Sequence, residues 1–178
     1  INLPPIAGYP GHPGPIHLDV VPDGSIWVSD GTYGNLAILP PGVGNNPKAA
    51  EIVRLGWAKG NEKYDTEKDG LAFVGPTLVR YLAPIDRVAV LEATRGAITI
   101  IDWQSKEKLY SVGGIGGGMQ QFSLCGDFKL FGEDSVLAVD SLRNQLKRLK
   151  ISADAKDASN GDYIESRVDD TSDPSTPA

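Results

Sequence analysis

The chain has 178 residues, a length typical of one domain. Its net charge of −6, from 23 acidic and 17 basic residues, repels phosphate, so nucleic acid is not an expected partner. No apolar run approaches the roughly 20 residues of a membrane-spanning helix, so attachment to a membrane complex would need other subunits. The 21 Gly and 13 Pro separate short apolar runs, which is typical of an all-β protein.

The first 13 residues hold too many prolines and glycines for a regular element. Residues 1–13 are therefore predicted to form an extended arm that lies across a neighbouring surface. The chain begins with Ile1 rather than Met, which leaves open whether this terminus is processed or trimmed. We expect an extracytoplasmic location, periplasmic or secreted.

A marked hairpin, in which an apolar strand ends in an acidic residue and a short polar turn leads to a second apolar strand, occurs three times. The copies span residues 25–39, 88–100 and 136–149. In each copy the acidic residue stands six positions before the first large aliphatic of the next strand; these residues are Asp30, Glu92 and Asp140. A hairpin that recurs with its acidic residue and loop length intact is an internal repeat.

The spacing of the acidic residues predicts blades of a propeller. They lie 62 and then 48 residues apart, and the second spacing is close to the roughly 40–50 residues of a four-stranded blade. The first spacing equals one blade plus an inserted polar loop near residues 58–70. We therefore predict an all-β, propeller-like domain at residues 14–151, with about three four-stranded antiparallel blades, forming an incomplete ring or a fragment. Residues 152–178 predict a flexible acidic Ser/Pro tail, since they carry little apolar surface.

The three acidic residues allow two interpretations. Asp30, Glu92 and Asp140 could line one end of a propeller channel and bind a cation. Alternatively, each carboxylate accepts hydrogen bonds from the backbone of its own turn, as Asp commonly does. The second interpretation is favoured, because an active site is not built identically in every repeat. The three residues are thus predicted to be structural marks of the blades.

One stretch resembles the first half of a calcium loop. Asp65, Glu67 and Asp69 stand at alternate positions before Gly70, so their oxygens could converge on one hard cation. The twelfth position of that pattern is Pro76, where a bidentate Glu is required. A solvated loop is therefore the favoured interpretation, with a bound calcium ion as the alternative; no other cofactor is expected.

Other candidate residues favour structural roles. The two histidines, His12 and His17, cannot compose a zinc site of three His ligands. Cys125 lies in an alternating apolar stretch and is predicted to be buried, with a reactive thiol as the alternative. The glycine run 113–118 precedes a strand pattern rather than the helix that a phosphate cradle needs.

The large aromatic residues and the basic residues after Asp140 each allow a structural and a binding interpretation. Trp27, Trp57, Trp103 and Tyr81 are predicted to pack inside the blades rather than to form a sugar platform. The basic residues after Asp140 are Arg143, Lys147, Arg148 and Lys150. Because strand side chains alternate, Arg148 and Lys150 share one face and Lys147 points to the other. A solvated edge is the default interpretation, and a patch for an acidic partner is the alternative.

Two stretches carry a family resemblance. The glycine-rich lead-in 113–122, followed by 136–149 with Val139, Asp140, Ser141 and Asn144, resembles an NHL-type propeller repeat. Residues 14–30 are similar to the lead-in of six-bladed propellers, including gluconolactonase-like and streptogramin-lyase-like ones. The middle unit departs from the pattern, because it has Glu92 and no glycine-rich lead-in. The resemblance covers roughly residues 14–151 and implies a propeller fold without fixing an activity.

Three blades leave two open edges, because propellers close with about 4–8 blades. Exposed edges invite pairing with other chains. We therefore expect a non-enzymatic interaction module, an accessory or scaffolding subunit whose open edges are covered by a protein partner or by self-association. The alternative is a metal-dependent gluconolactonase-like hydrolase or streptogramin-lyase-like enzyme, with His17 and the three marking carboxylates around a cation. A third hypothesis is a ligand- or carbohydrate-binding propeller that uses the tryptophans.

Overall fold

The computed structural model describes residues 2–5, 11–45, 47–48, 51–56, 73–118 and 120–153, and these contain β-strands and no α-helix. The strands are β1 Pro15–Val20, β2 Ile26–Asp30, β3 Asn35–Leu39, β4 Val53–Leu55, β5 Pro76–Leu82, β6 Arg87–Glu92, β7 Ala97–Ile101, β8 Lys108–Gly113, β9 Cys125–Leu130, β10 Ser135–Asp140 and β11 Gln145–Lys150. A 3-10 turn, Ala83–Ile85, joins β5 to β6. No helix in the described ranges is long and apolar enough to cross a membrane.

The strands form three antiparallel sheets, each following chain order. The first sheet holds β1 to β4, the second β5 to β8, and the third β9 to β11. The prediction of three antiparallel sheets is confirmed. The third sheet has three strands within the described residues, so a fourth strand is present only in the first two sheets.

The three marked hairpins close in the same register. Asp30 is paired with Asn35, Glu92 with Ala97, and Asp140 with Gln145, so each acidic residue ends its strand at a four-residue turn. The repeat inferred from the sequence is therefore present in the backbone.

Each sheet has two different faces. The carboxylate face is defined here as the one that bears Asp30, Glu92 or Asp140, and the reverse face is its opposite side. The reverse face of the first sheet packs against the carboxylate face of the second, through Trp27, Leu36, Val79, Val88 and Val90. The reverse face of the second sheet packs in the same sense against the carboxylate face of the third. That second core contains Leu91, Ile98, Ile100, Phe122, Phe128, Val136 and Leu149.

The N-terminal segment lies on the carboxylate face of the first sheet. Leu3 packs against the cluster formed by Val28, Ala37 and Leu39. The N–H of Asn2 donates to the carbonyl of Asn45 at 2.9 Å. These contacts cover that face over β2 and β3.

The start of the third sheet differs from the sequence expectation. The apolar pattern that follows the glycine run predicts a strand over residues 122–130, but β9 begins at Cys125. Phe122 is buried and forms an isolated bridge with Ile115, and the next two N–H groups, of Ser123 and Leu124, bind the Asp140 carboxylate instead of a neighbouring strand. The polar loop near 58–70 and the tail from residue 154 lie outside the described residues.

Candidate functional site

The first marked hairpin holds a fully buried aspartate. Asp30 Oδ1 accepts hydrogen bonds from the N–H groups of Gly14 at 3.0 Å and of Thr32 and Tyr33 at 3.1 Å. Arg54, on β4, places its Nη1 3.7 Å from Asp30 Oδ2. The carboxylate therefore joins the start of β1, the turn after β2 and the fourth strand.

The second marked hairpin repeats this arrangement with a glutamate. Glu92 Oε2 accepts from the N–H of Val74 at 2.9 Å, and its Oε1 accepts from the hydroxyl of Thr99 on β7. The Thr99 hydroxyl also lies 2.8 Å from the Ser111 hydroxyl on β8. Arg95 Nη1 lies 3.5 Å from Oε2 at the turn. The longer Glu side chain thus reaches the same kind of backbone donor as Asp30.

The third marked hairpin contains a buried ion pair. Asp140 accepts from the N–H groups of Ser123 at 3.0 Å and Leu124 at 3.2 Å, and Lys147 Nζ lies 3.2 Å from its Oδ2. The Lys147 side chain is 1% exposed, also donates to the carbonyl of Gln121, and lies over the Phe122 ring. Burial alone would raise the pKa of Asp140, but these N–H donors and Lys147 hold it below its usual value.

Lys147 corrects the interpretation of the basic stretch as a solvated edge. The alternation of faces was predicted correctly, since Lys147 points to the carboxylate face while Arg148 and Lys150 pair on the reverse face. The carboxylate face is the interior one, so Lys147 is buried. A sequence signal existed: Lys147 stands seven positions after Asp140, as Ala37 and Thr99 stand seven positions after Asp30 and Glu92, and both of those residues are buried.

The three carboxylates are held in separate sheets, each bound to groups of its own repeat. Within the described residues, no three His, Cys, Asp or Glu side chains form a group that could hold a metal ion. His17 lies on the reverse face of β1, with its N–H bonded to the Ser29 hydroxyl at 3.1 Å. The structure therefore does not bring His17 and the three carboxylates together around one point. Asp65, Glu67 and Asp69 lie outside the described residues, as does Trp57.

A cleft of about 460 Å³ opens between the first two sheets, at the end where the marked turns lie. Its lining includes the threonines Thr32, Thr77 and Thr94, and the glycines Gly14, Gly31 and Gly75. No ionisable side chain lines the cleft among the residues described. A Cβ on Gly14 would stand 2.1 Å from the Thr32 hydroxyl oxygen, so glycine is needed for this close packing. The cleft offers hydroxyl groups and no acid or base.

The remaining candidate residues take part in packing. Cys125 is buried, and burial together with the nearby carboxylates raises the pKa of its thiol to about 12, which makes it unreactive. Trp27 is buried between the first two sheets. Trp103 Nε1 and the Tyr81 hydroxyl both donate to Asp86, and these bonds hold the Asp86 pKa below its usual value.

Side chains from one sheet also bind the backbone or side chains of the next. Asp19 Oδ2 accepts from the N–H of Tyr81 at 2.7 Å, and the Ser29 hydroxyl donates to the carbonyl of Thr77 at 3.1 Å. Between the second and third sheets, Arg80 Nη2 lies 3.1 Å from Asp127 Oδ1. The order of the sheets is therefore fixed by directional bonds as well as by apolar packing.

The reverse face of the third sheet has no further sheet on it in the part of the chain that the structure describes. Its apolar side chains are Leu137, Val139 and Leu146, of which the first two are half-buried and Leu146 is 39% exposed. Lys129 and Arg148 pair with Leu137 from either side, so basic residues flank the apolar strip. Asp127, which pairs with Val139, lies on the same face, so the face combines apolar groups with charged groups of both signs.

No family model matches the chain, and no curated protein matches it. Solved structures do match. A catalytically inactive variant of virginiamycin B lyase from Staphylococcus aureus, with quinupristin, is 13% identical over 87% of this chain and 41% of its own, with a TM-score of 0.54. A streptogramin B lyase is 11% identical over the same shares of the two chains, with a TM-score of 0.55. A protein of unknown function from Bacteroides caccae is 9% identical over 79% of this chain and 46% of its own, with a TM-score of 0.51.

These neighbours are β-propeller-type proteins. The three sheets are blades of a propeller-type fold. The matched chain spans less than half the length of each of these structures, and at this identity the likeness establishes the fold alone. The propeller interpretation is confirmed, whereas membership of the NHL-type family is not, because no family model matches.

Proposed function

We propose that this chain is a non-enzymatic interaction module, an accessory or scaffolding subunit that docks on other protein through the open faces of its first and third blades. The observation that carries the proposal is the reverse face of the third sheet, where Leu137, Val139 and Leu146 occupy positions that are buried against a following sheet in the other two blades. Exposed apolar surface arranged as half of an interface indicates a binding surface.

The marked hairpins support a structural rather than a catalytic role for their carboxylates. Each carboxylate accepts bonds from backbone N–H groups, and Asp140 is ion-paired with a buried lysine. Hydrogen-bonded groups of this kind rigidify a turn. The Thr99 hydroxyl that donates to Glu92 is fully buried, and so is Glu92, so this pair does not face the cleft or the surface. The described lining of the cleft carries no acid or base. The likeness to lyases concerns the fold and adds no argument for their activity.

Site-specific photo-crosslinking tests the proposal. A photoreactive phenylalanine analogue is placed at Leu137 in the full chain, in cells that produce it. The matched control places it at Leu142, which is 70% exposed on the turn between β10 and β11 and lies off the sheet face. We expect a protein adduct from position 137 and none from position 142. No adduct at position 137, or equal adducts at both, would contradict the proposal.

A metal titration separates this proposal from the enzyme alternative. We expect the melting temperature of the purified chain to stay unchanged with Ca²⁺, Mg²⁺ or Zn²⁺ present. An ion that binds the native state at 100 times its Kd stabilises it by about 2.7 kcal/mol, which a thermal shift detects. A shift that is lost in an Asp65→Asn/Asp69→Asn variant would place a cation at the 65–69 stretch. A shift lost in Asp30→Asn would support the enzyme alternative.

A further inference from the structure

We propose that two copies of this chain close a ring head to tail, with the reverse face of the third sheet of each copy packed on the carboxylate face of the first sheet of the other. This inference rests on the proposed function, because it names the partner of the same open faces. It follows from a comparison of the two interfaces inside the chain with the two faces at its ends.

The first strands of the three sheets, β1, β5 and β9, are called the inner strands here. They supply one half of the internal interfaces. Val79 on β5 pairs with Val90, two positions before Glu92. Phe128 on β9 pairs with Ala138, two positions before Asp140. Both face the preceding sheet and are 0% and 1% exposed. Leu18 on β1 holds the same register relative to Asp30, yet it is 57% exposed. At this position of the first sheet, no side chain of the described residues covers Leu18 as Val79 and Phe128 are covered in the other two sheets.

The neighbouring inner-strand position shows the same pattern. Val20 on β1 corresponds to Tyr81 on β5 and Leu130 on β9, as their pairing with the second strands shows. Tyr81 and Leu130 are partly buried and pack on the cores between the sheets. Val20 is 48% exposed. Leu18 and Val20 thus form an uncovered apolar pair at the inner edge of the first sheet.

The reverse face of the third sheet supplies the other half. Leu146 stands six positions after Asp140, as Leu36 and Ile98 stand six positions after their own acidic residues. Leu36 and Ile98 are both 0% exposed, because a following sheet covers them. Leu146 is 39% exposed. One chain therefore carries both complementary halves of a single repeated interface, one half at each end.

The number of described sheets is compatible with closure by two copies. Propellers close with about 4–8 blades, and the described residues of each copy supply three sheets, so that two copies supply six. A head-to-tail contact that closes forms a ring.

Leu3 and its neighbours limit the contact on the first sheet. They pack on Val28, Ala37 and Leu39, in the β2 and β3 part of the carboxylate face, while Leu18 and Val20 on β1 are 57% and 48% exposed. We therefore place the second copy against β1 and the inner edge of the first sheet. The bond from Arg54 Nη2 to the carbonyl of Pro4, at 3.1 Å, holds the N-terminal segment beside this contact.

Chemical crosslinking between two differently labelled chains tests the inference. Full chains carrying Leu18→Cys and Leu137→Cys are made separately, in a Cys125→Ser background, mixed in equal amounts and treated with a short bis-maleimide. We expect a crosslink between positions 18 and 137 of different chains, and at least tenfold less product when either variant is treated alone. Leu142→Cys replaces Leu137→Cys as the control and should give little product. Light scattering on the unmodified chain should give about twice its 18.9 kDa mass.

Each other outcome overturns the inference. A monomeric mass at all concentrations, dominant 18–18 or 137–137 products, or equal crosslinking from position 142 would each rule out head-to-tail pairing. Failure here is distinct from failure of the proposed function. If the purified chain is monomeric but position 137 still crosslinks to a different protein in cells, the module docks on another partner. If position 137 gives no adduct in either experiment, both proposals fail.

Discussion

The first and third blades each bury an aspartate at the same place in the repeat, but a different basic side chain pairs with it. Which side chain pairs with the aspartate depends on the residue at one position of the repeat. This position stands seven residues after the acidic residue and is Ala37 in the first blade and Lys147 in the third. In the first blade, Ala37 is small and pairs with Arg54 on β4, which reaches Asp30 across it. In the third blade, Lys147 itself reaches Asp140.

The second blade is intermediate. Thr99 occupies the corresponding position and donates to Glu92, while Ser111 on the fourth strand bonds to Thr99. The repeat therefore keeps a buried carboxylate that accepts from backbone N–H groups, and it varies the side chain that completes the site. In the first blade this side chain is Arg54 on the fourth strand. In the second and third blades it is Thr99 or Lys147 on the third strand.

Removal of Lys147 should produce the largest effect. Lys147→Met keeps most of the side-chain volume and removes the buried cation 3.2 Å from Asp140, which leaves only the more exposed Arg143, with its Nε 4.0 Å from Oδ2, among the ion pairs of Asp140 in the described residues. We expect a loss of about 3 kcal/mol in the free energy of unfolding, at the lower end for a broken buried pair because two N–H donors remain. Urea unfolding of the full chain measures it. A second Asp140→Asn substitution should recover part of the loss, and a change within about 0.5 kcal/mol would break the comparison.

The matched variant in the first blade is Arg54→Met. Arg54 is 13% exposed, and its 3.7 Å distance to Asp30 is longer than the Lys147–Asp140 distance. It also donates to the Asn35 side chain and to Pro4. We expect a loss of about 1.5 kcal/mol, measured by the same urea unfolding. A loss that equals or exceeds that of Lys147→Met would show that the fourth-strand partner is the stronger one.

A smaller effect is expected in the second blade. Thr99→Val removes the hydroxyl that donates to Glu92 and keeps the branched shape, so the loss should be about 1 kcal/mol. Ser111→Ala is the control, since it removes the outer hydroxyl and leaves the bond to Glu92. Thermal unfolding should therefore rank Thr99→Val below Ser111→Ala in melting temperature. The reverse order would contradict the assignment of Thr99 as the direct partner.

The pH dependence sharpens the comparison further. The pKa of Asp140 is held below its usual value in the folded chain, so its stabilisation is complete above the unfolded-state pKa of about 3.9 and is lost as the pH falls through the folded-state pKa. Asp140→Asn should therefore flatten the fall of stability on the acid side. Urea midpoints between pH 6 and pH 3 measure this. A parallel fall in the variant and the parent would assign the acid loss to other carboxylates.

The sequence predicted the architecture better than the sites. The marked hairpins predicted the second and third strands of every blade correctly. The spacing of the acidic residue and the alternation of apolar residues are local properties that the sequence shows directly. The burial of Lys147 was missed, since a lysine on a strand is usually solvated and only its register against Ala37 and Thr99 shows that it lies inside. The start of β9 was placed too early, because two backbone N–H groups that strand periodicity assigned to a ladder bind Asp140 instead. Three repeats predicted two open ends, but the side chains that line them could not be inferred, since they depend on which face of each sheet packs on the next.

Sedimentation velocity of the full chain over a range of concentrations tests the head-to-tail ring most directly. Two variants are compared with the parent: Leu146→Glu, which places a charge on the open reverse face, and Leu142→Glu, which places the same charge on the exposed turn nearby. The account predicts that the parent and Leu142→Glu sediment as a species of twice the chain mass, while Leu146→Glu sediments as a monomer. A parent that remains monomeric, or a Leu146→Glu variant that still pairs, would contradict it.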